Sequence, residues 1–293
     1  MLTQAISNGL IAGCEYGLFA AGISLIYRIR SFFHLAHGAA YLVGAYVANV
    51  LAIEARWPMA IAIAAAIFLA TMIGAAIELA VYRPLVRRGA SVTILLIASL
   101  GLLIALQNVV EFAFGSFTRT FYASGAPSAL VVAGLRVTSV QLVTVGVYAV
   151  VGLLLWGWLY ATRSGKIVRA VADSAELGIA FGIDSDRVIL TVFAVASALA
   201  AIAGILAGYN TNIYPTMGFW AILPAIVAVV AGGLGNISGA FLGGLFVGVV
   251  GNLAAWFLPS AWQDAVMFAI LLAFLLIRPQ GIVGTALPAR GGI

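Results

Sequence analysis

The chain has 293 residues, 64% of them apolar in the broad sense and 8% charged, with a mean hydropathy of +1.17. Soluble domains carry about a quarter charged residues, so a soluble enzyme, a disordered chain and a coiled coil are excluded and a polytopic membrane protein remains. The net charge is +5, but the basic residues, all arginine except Lys166, lie scattered between apolar runs, which fits loop charge that sets orientation rather than a nucleic-acid surface.

A helix crossing a hydrocarbon core of about 30 Å needs roughly 20 apolar residues. In chain order the sequence predicts such runs at 5–27, 36–53, 58–82, 92–114, 139–160, 188–208, 218–234, 238–258 and 260–277. The fold class is therefore all-α, a transmembrane helical bundle of about eight to ten spans that forms one domain over 1–293. The first run has no basic residue ahead of Arg28 and is too long for a signal h-region, so it reads as a span and not as a cleaved leader. It carries Gly9, Gly13, Gly17 and Ala21 at four-residue spacing, the pattern of a close helix–helix contact in lipid. Glu15 sits near its centre, where a carboxyl group is expected to be protonated or to face a wet interior or a partner.

Further along, Glu78 lies about a turn from Arg83 and reads as a structural, snorkelling acid. Gln107 and Glu111 give the fourth run a polar face. Between the fourth and fifth runs, residues 131–137 predict a small hairpin turning at Gly134. The segment 161–187 is the densely charged part, with four basic and four acidic residues. There Asp173 and Glu176 have capping-box spacing, which predicts a short helix over 174–181 stopped by Gly182, with Asp184 or Ser185 capping the next run. That helix would show Ala170, Val171, Ala175, Leu177, Ile179 and Phe181 on a charged surface, a docking pattern for a partner's groove.

The sixth run repeats small residues at Ala200, Gly204 and Gly208. The next stretch is the least regular. Pro224 and the run Gly232-Gly233-Leu234-Gly235-Asn236-Ile237-Ser238-Gly239 are expected to break a span or mark a re-entrant segment. The freed backbone groups must meet protein or a wet cavity. Glu15, His37, Gln107, Gly232, Gly233 and Asn236 are the candidate lining of a translocation path.

Counted over the segments between runs, eleven basic residues fall on one side and three (Arg56, Arg119, Arg136) on the other. The positive-inside rule then puts the N-terminus outside and the C-terminus inside. Ser164-Gly165-Lys166-Ile167 lacks the spacing and hydroxyl of a P-loop, so any ATP dependence must come from another subunit. His34 and His37 alone make a poor metal site. Cys14, the single cysteine, excludes an internal disulfide. No histidine follows Ser238 to activate it as a protease nucleophile. The chain is expected to have no cofactor and no catalytic residues.

Three segments in order carry a family resemblance. The first runs from Gly9-Leu10 and Tyr16-Gly17-Leu18 through Phe33-His34-Leu35-Ala36-His37-Gly38 to Gly44-Ala45-Tyr46. The second is Arg169-Ala170-Val171-Ala172-Asp173 with Gly182-Ile183-Asp184, and the third is Val229–Ala240 with Gly243-Gly244. Together they resemble the LivH-type permeases of branched-chain amino acid ABC importers over nearly the whole chain. The resemblance implies an inner-membrane subunit working by alternating access. It also implies a second homologous permease, two cytoplasmic ATP-binding subunits and an extracytoplasmic solute-binding protein as partners. It makes Arg169, Ala170, Val171, Asp173, Ala175, Glu176, Leu177, Phe181 and Gly182 the ATPase-docking residues. Ala39 replaces a frequent acid, Pro224 stands near a frequent lysine, and Arg28 and Arg30 replace smaller residues. These departures leave the solute open between amino acids, urea, short amides and sugars. A self-sufficient secondary transporter or channel is the alternative class.

Overall fold

The computed structural model describes residues 2–122, 129–132, 135–174, 178, 180–259 and 262–283. Each of the nine apolar runs lies on a helix. In chain order the α-helices of the described residues are α1 (Leu2–Arg30), α2 (His37–Asn49), α3 (Met59–Ile77), the short α4 (Arg83–Arg87), α5 (Val92–Phe114), α6 (Ser139–Ala161), α7 (Arg163–Asp173), α8 (Ser185–Asn210), α9 (Met217–Gly232), α10 (Ile237–Phe257) and α11 (Gln263–Ile277), of which α4 and α7 carry no apolar run. Among the described residues six helices are long and apolar enough to cross a membrane, and α9 and α11 are shorter apolar helices. α2 and α3 each run on into a single π-helical turn, Val50–Glu54 and Glu78–Tyr82. The predicted hairpin is present: Ala129–Val132 pairs antiparallel with Leu135–Thr138, while the turn at 133–134 lies outside the described residues.

Small residues decide which helices are central. α1 is 83% buried along its apolar stretch, whereas α5 and α6 are 17% buried and offer bulky apolar faces to lipid. Lipid gives no hydrophobic drive for helix pairing, so close backbone approach takes that role. The glycine stripe of α1 meets α10 directly. A Cβ on Gly9 would stand 2.7 Å from the Val249 Cα, and one on Gly13 would stand 2.7 Å from the Leu245 Cα. α10 has two such rows. Gly244 and Gly248 face α1, while Gly239 and Gly243 face Gly232 and Ala228 of α9. In the same way Gly44 of α2 lies on Ala201 of α8, and Gly204 of α8 lies on the Tyr41 backbone.

The irregular stretch breaks at its glycines, as expected, but not at Pro224. α9 runs unbroken through Pro224. The break comes at Gly233 and Gly235, whose φ angles of 114° and 73° suit glycine and few other residues. The carbonyls freed there meet protein: Ile282 N donates to Ala231 O at 2.7 Å and Val283 N to Gly232 O at 3.2 Å. Asn236 completes the joint by capping α10 through Gly239 N (2.9 Å) and donating to Val283 O (3.1 Å).

Five of the six ion pairs among the described residues gather at one end of the bundle, the basic end. Arg28 bonds Asp173 at 3.2 Å and Arg87 bonds Asp186 at 2.7 Å, tying α1 to α7 and α4 to α8. The expected Glu78–Arg83 association is corrected. Glu78, in its π-turn, pairs with Arg30 of α1, while Arg83 donates to the Asp186 carbonyl at 3.1 Å. The Arg30–Glu78 pair is enclosed, with side chains 11% and 0% exposed. Removing one member of a buried pair costs about 3–5 kcal/mol because the other is stranded. Glu78→Ala should therefore lower the melting temperature of the detergent-solubilised protein clearly, and Glu78→Ala with Arg30→Met should recover much of it. Equal melting of the single variant and the wild type would rule this out.

Candidate functional site

The end opposite the basic end holds a polar cavity of about 320 Å³ between the loop after α5, the hairpin and the end of α8. Thr120, Tyr122, Thr138, Gln141 and residues 209–212 line it. Its roof is firmly held. Arg119 forms a two-way backbone bridge with Ile213 (2.8 and 2.9 Å), pairs with Glu54, and donates to Phe114 O at 2.9 Å. Asn49 Nδ2 donates to Thr120 O at 2.9 Å, and Phe121 stacks on Tyr209 with centroids 3.8 Å apart. Burial pushes the Tyr122 phenol above its ordinary pKa, so it stays protonated at neutral pH.

Just inside this cavity lies Glu15. Asn210, the last residue of α8, donates through Nδ2 to Glu15 Oε1 at 2.5 Å and to Thr144 Oγ1 at 2.9 Å. The central carboxylate thus has a partner that spacing in the sequence could not supply. Asn210 ends an apolar run and starts the polar string Asn210-Thr211-Asn212, which is the signal that could have marked it.

His37, the first residue of α2, packs one level deeper against α1. Its ring stacks on Phe19 of α1 with centroids 4.9 Å apart, and it fills the space that a Cβ on Gly22 would need. The loop before it is pinned by His34. His34 Nδ1 lies 2.9 Å from Tyr82 Oη and 3.4 Å from Ser99 Oγ, and Ser99 also accepts from Ala36 N at 2.9 Å. Burial first, and then the neighbouring His37, hold the His34 imidazole well below its usual pKa, so it works as a neutral hydrogen-bonding group.

At the basic end, the Gly232–Asn236 joint packs beside Arg28 through Gly235. Glu15, Phe19 with His37, and Arg28 with Gly235 therefore mark successive levels along about 20 Å of α1, at 1.5 Å per residue. Gln107 does not join this line. It is half-buried on the peripheral α5, and among the described residues no hydrogen bond links it to Glu15.

The charged segment is more ordered than its composition suggests. Thr162 caps α7, accepting from Gly165 N at 3.1 Å while donating to Trp158 O at 2.6 Å. α7 therefore begins at Arg163, a helix that the charge pattern did not announce; of the predicted helix over 174–181, residues 178 and 180 are helical, Gly178 N donates to Ser174 O at 3.1 Å, and most of the rest lies outside the described residues. The missed signal is Ile167, Val168, Val171 and Ala172, a helical apolar spacing hidden among basic residues. α7 turns Val168, Val171 and Ala172 inward, so Val171 packs into the protein and is corrected as an exposed docking residue. Ala170 stays exposed, Asp173 holds Arg28, and the Arg169 guanidinium lies 4.7 Å over the Tyr160 ring. Phe181 is 82% exposed, beside Gly182 with φ of 74°. Ala175, Glu176, Leu177 and Ile179, the middle of the expected docking helix, lie outside the described residues. Asp184 caps α8 through Arg187 N at 3.2 Å, as its position suggested.

Residues 5–275 match the family described as "Branched-chain amino acid transport system / permease component". The chain is 34% identical to the high-affinity branched-chain amino acid transport system permease protein LivH of Salmonella typhimurium, over 96% of this chain and 95% of that one. It is 33% identical, over the same shares, to the BraD permease protein of Pseudomonas aeruginosa, which bears the same description. The xylose transport system permease protein XylH of Escherichia coli is 35% identical, but over only 41% of this chain. Among solved structures, PsaBC from Streptococcus pneumoniae in complex with Fab aligns with a TM-score of 0.51 at 15% identity, covering 93% of this chain and 91% of that one, a likeness of fold alone.

Proposed function

The chain belongs to the permease family of branched-chain amino acid transport systems, and we propose that it is the membrane-spanning subunit of an ATP-driven importer for a branched-chain or other amino acid. The observation that carries this reading is full-length similarity to amino acid permeases, against a partial match to a sugar permease. The chain itself does no bond chemistry. ATP hydrolysis belongs to two cytoplasmic partner subunits, with a second homologous permease and an extracytoplasmic binding protein completing the assembly. It sits in the bacterial inner membrane, N-terminus outside and C-terminus inside, so the basic end faces the cytoplasm.

The mechanism follows from what is tied to what. Phe181 and its flanks form the handle gripped by the ATPase pair. Motion of the handle reaches α7, and the Arg28–Asp173 pair passes it to α1. α1 then rocks on its glycine contacts with α10, and the levels marked by Glu15, His37 and the Gly232–Asn236 joint open in turn to the two sides.

Copurification in mild detergent tests this directly. ATPase subunits should accompany the permease, and cross-linkers at Ala175 or Phe181 should capture them. A permease that transports without any ATPase would instead be a self-sufficient carrier or channel. A reporter active only outside the cytoplasm should be silent when fused to the C-terminus, and signal from it would overturn the orientation.

A further inference from the structure

α6 and α7 meet at the basic end, and the corner between them carries charge without countercharge. α6 is only 17% buried along its apolar stretch, so its outer face meets lipid. On that face Leu153, Trp156 and Tyr160 stand exposed at helical spacing, and the rings of Trp156 and Tyr160 pack with centroids 5.6 Å apart. Gly157 lies on the same face with open space where a Cβ would stand, which leaves a shallow track beside the two rings. Thr162 then turns the chain into α7.

α7 buries Val168, Val171 and Ala172 and turns Arg163 and Lys166 outward, with Arg169 half-buried on the same row. The row is about 9 Å long at 1.5 Å per residue. The Arg169 guanidinium lies 4.7 Å over the Tyr160 ring, which joins the row to the aromatic pair. Its Nε is buried without a hydrogen-bond partner among the described residues. The described carboxylates of this end are engaged elsewhere: Asp173 with Arg28, Glu78 with Arg30, Asp184 with Arg187 and Asp186 with Arg87. Arg163, Lys166 and Arg169 take part in no ion pair among the described residues.

Three uncompensated cations at the end of a lipid-facing aromatic column fit an anion that is itself part of the bilayer. A soluble anion would gain nothing from Trp156, Tyr160 or the track at Gly157. A second copy of this chain would bring the same three cations to the contact. A zwitterionic lipid carries its own ammonium beside the phosphate. A phospholipid with net negative charge meets every feature: its phosphate on the cations, its glycerol against rings at headgroup level, and an acyl chain along α6.

We infer that the α6–α7 corner is a binding site for an anionic phospholipid of the leaflet at the basic end. Arg163, Lys166 and Arg169 hold the phosphate, and Trp156 and Tyr160 pack on the glycerol and acyl chain. The inference needs only a bundle that spans the membrane, and it is independent of the solute and of the ATPase.

Lys166 is the only lysine of the chain, so its amine is a local reporter. The transporter complex is purified in mild detergent, stripped of lipid and titrated with dioleoylphosphatidylglycerol or dioleoylphosphatidylcholine. Peptide mass spectrometry follows the rate at which an amine-reactive reagent modifies Lys166. Phosphatidylglycerol should slow the modification in a saturable way, and phosphatidylcholine and glycerol phosphate should not. Arg163→Gln with Arg169→Gln should raise the phosphatidylglycerol needed for half-protection about 30-fold, from about fivefold per charge. Arg88→Gln with Arg278→Gln removes the same charge from other segments of the same end and should leave that midpoint in place. Equal protection by the two lipids, protection by glycerol phosphate, or an equal loss in both double variants overturns the site. Modification that is slow in either lipid and quickens only when ATPase subunits are stripped gives the corner to that partner and also overturns it. The lipid and glycerol phosphate comparisons use the wild type, so they decide the question even if a variant fails to fold.

Discussion

Phe181→Asp should strip the ATPase from the purified complex and abolish ATP-driven uptake while leaving the membrane bundle folded. Phe181 is 82% exposed, so its side chain contributes little to the fold of this chain. A large aromatic held out on a charged surface is the residue type that anchors interfaces. Truncating such an anchor costs about 2 kcal/mol or more, a weakening of about 30-fold. Aspartate adds the cost of placing a charge in the partner's apolar groove. The measurement is the ratio of ATPase to permease after affinity purification, with the melting temperature of the permease as the folding control. Wild-type ATPase content in Phe181→Asp would remove this segment as the handle. Val171→Asp is a useful contrast. Val171 is buried under α7, so its replacement should lower the melting temperature, whatever it does to docking.

Gly13→Leu should prevent assembly of a stable bundle, while Gly101→Leu should leave it intact. Both glycines lie within long apolar helices, and hydropathy alone treats them alike. A Cβ on Gly13 would meet the Leu245 Cα at 2.7 Å and the Gly244 carbonyl oxygen at 2.9 Å, so α1 and α10 would have to separate. Overpacking typically costs 1–3 kcal/mol, and here backbone faces backbone with no side chain to yield, so about 3 kcal/mol or more is expected. A Cβ on Gly101 meets nothing within 4 Å. Leucine there gains about 0.8 kcal/mol of helix propensity over glycine. Size-exclusion profiles and melting of the two variants in the same detergent check the contrast. Similar profiles for both would mean that the α1–α10 contact does not hold the bundle together.

The same pair of glycines shows how far pattern reading reaches. The spacing of Gly9, Gly13 and Gly17 announces a tight contact but not its partner. Gly244 and Gly248, on another row a long way down the chain, complete it. The charged segment repeats the lesson with opposite sign. Thr162 caps α7, a helix that the spacing did not announce, and Asp173 at its end holds Arg28 of the first helix. A local capping rule cannot weigh an ion pair between residues so far apart in sequence.

Where apolar runs begin and end, which segments carry the charge, and that the glycine-rich joint must find backbone partners were all readable from the order of residues. These depend on the hydrocarbon slab and on nearest neighbours along the chain, and both are local. The identity of partners was not readable. Asn210 on Glu15, Arg30 on Glu78, and the 281–283 segment on the freed carbonyls of the Gly232 joint each connect residues distant in sequence. Once lipid removes the hydrophobic drive between spans, small steric fits and single polar contacts choose among many nearly equal packings. Those choices exist only when all the helices stand together.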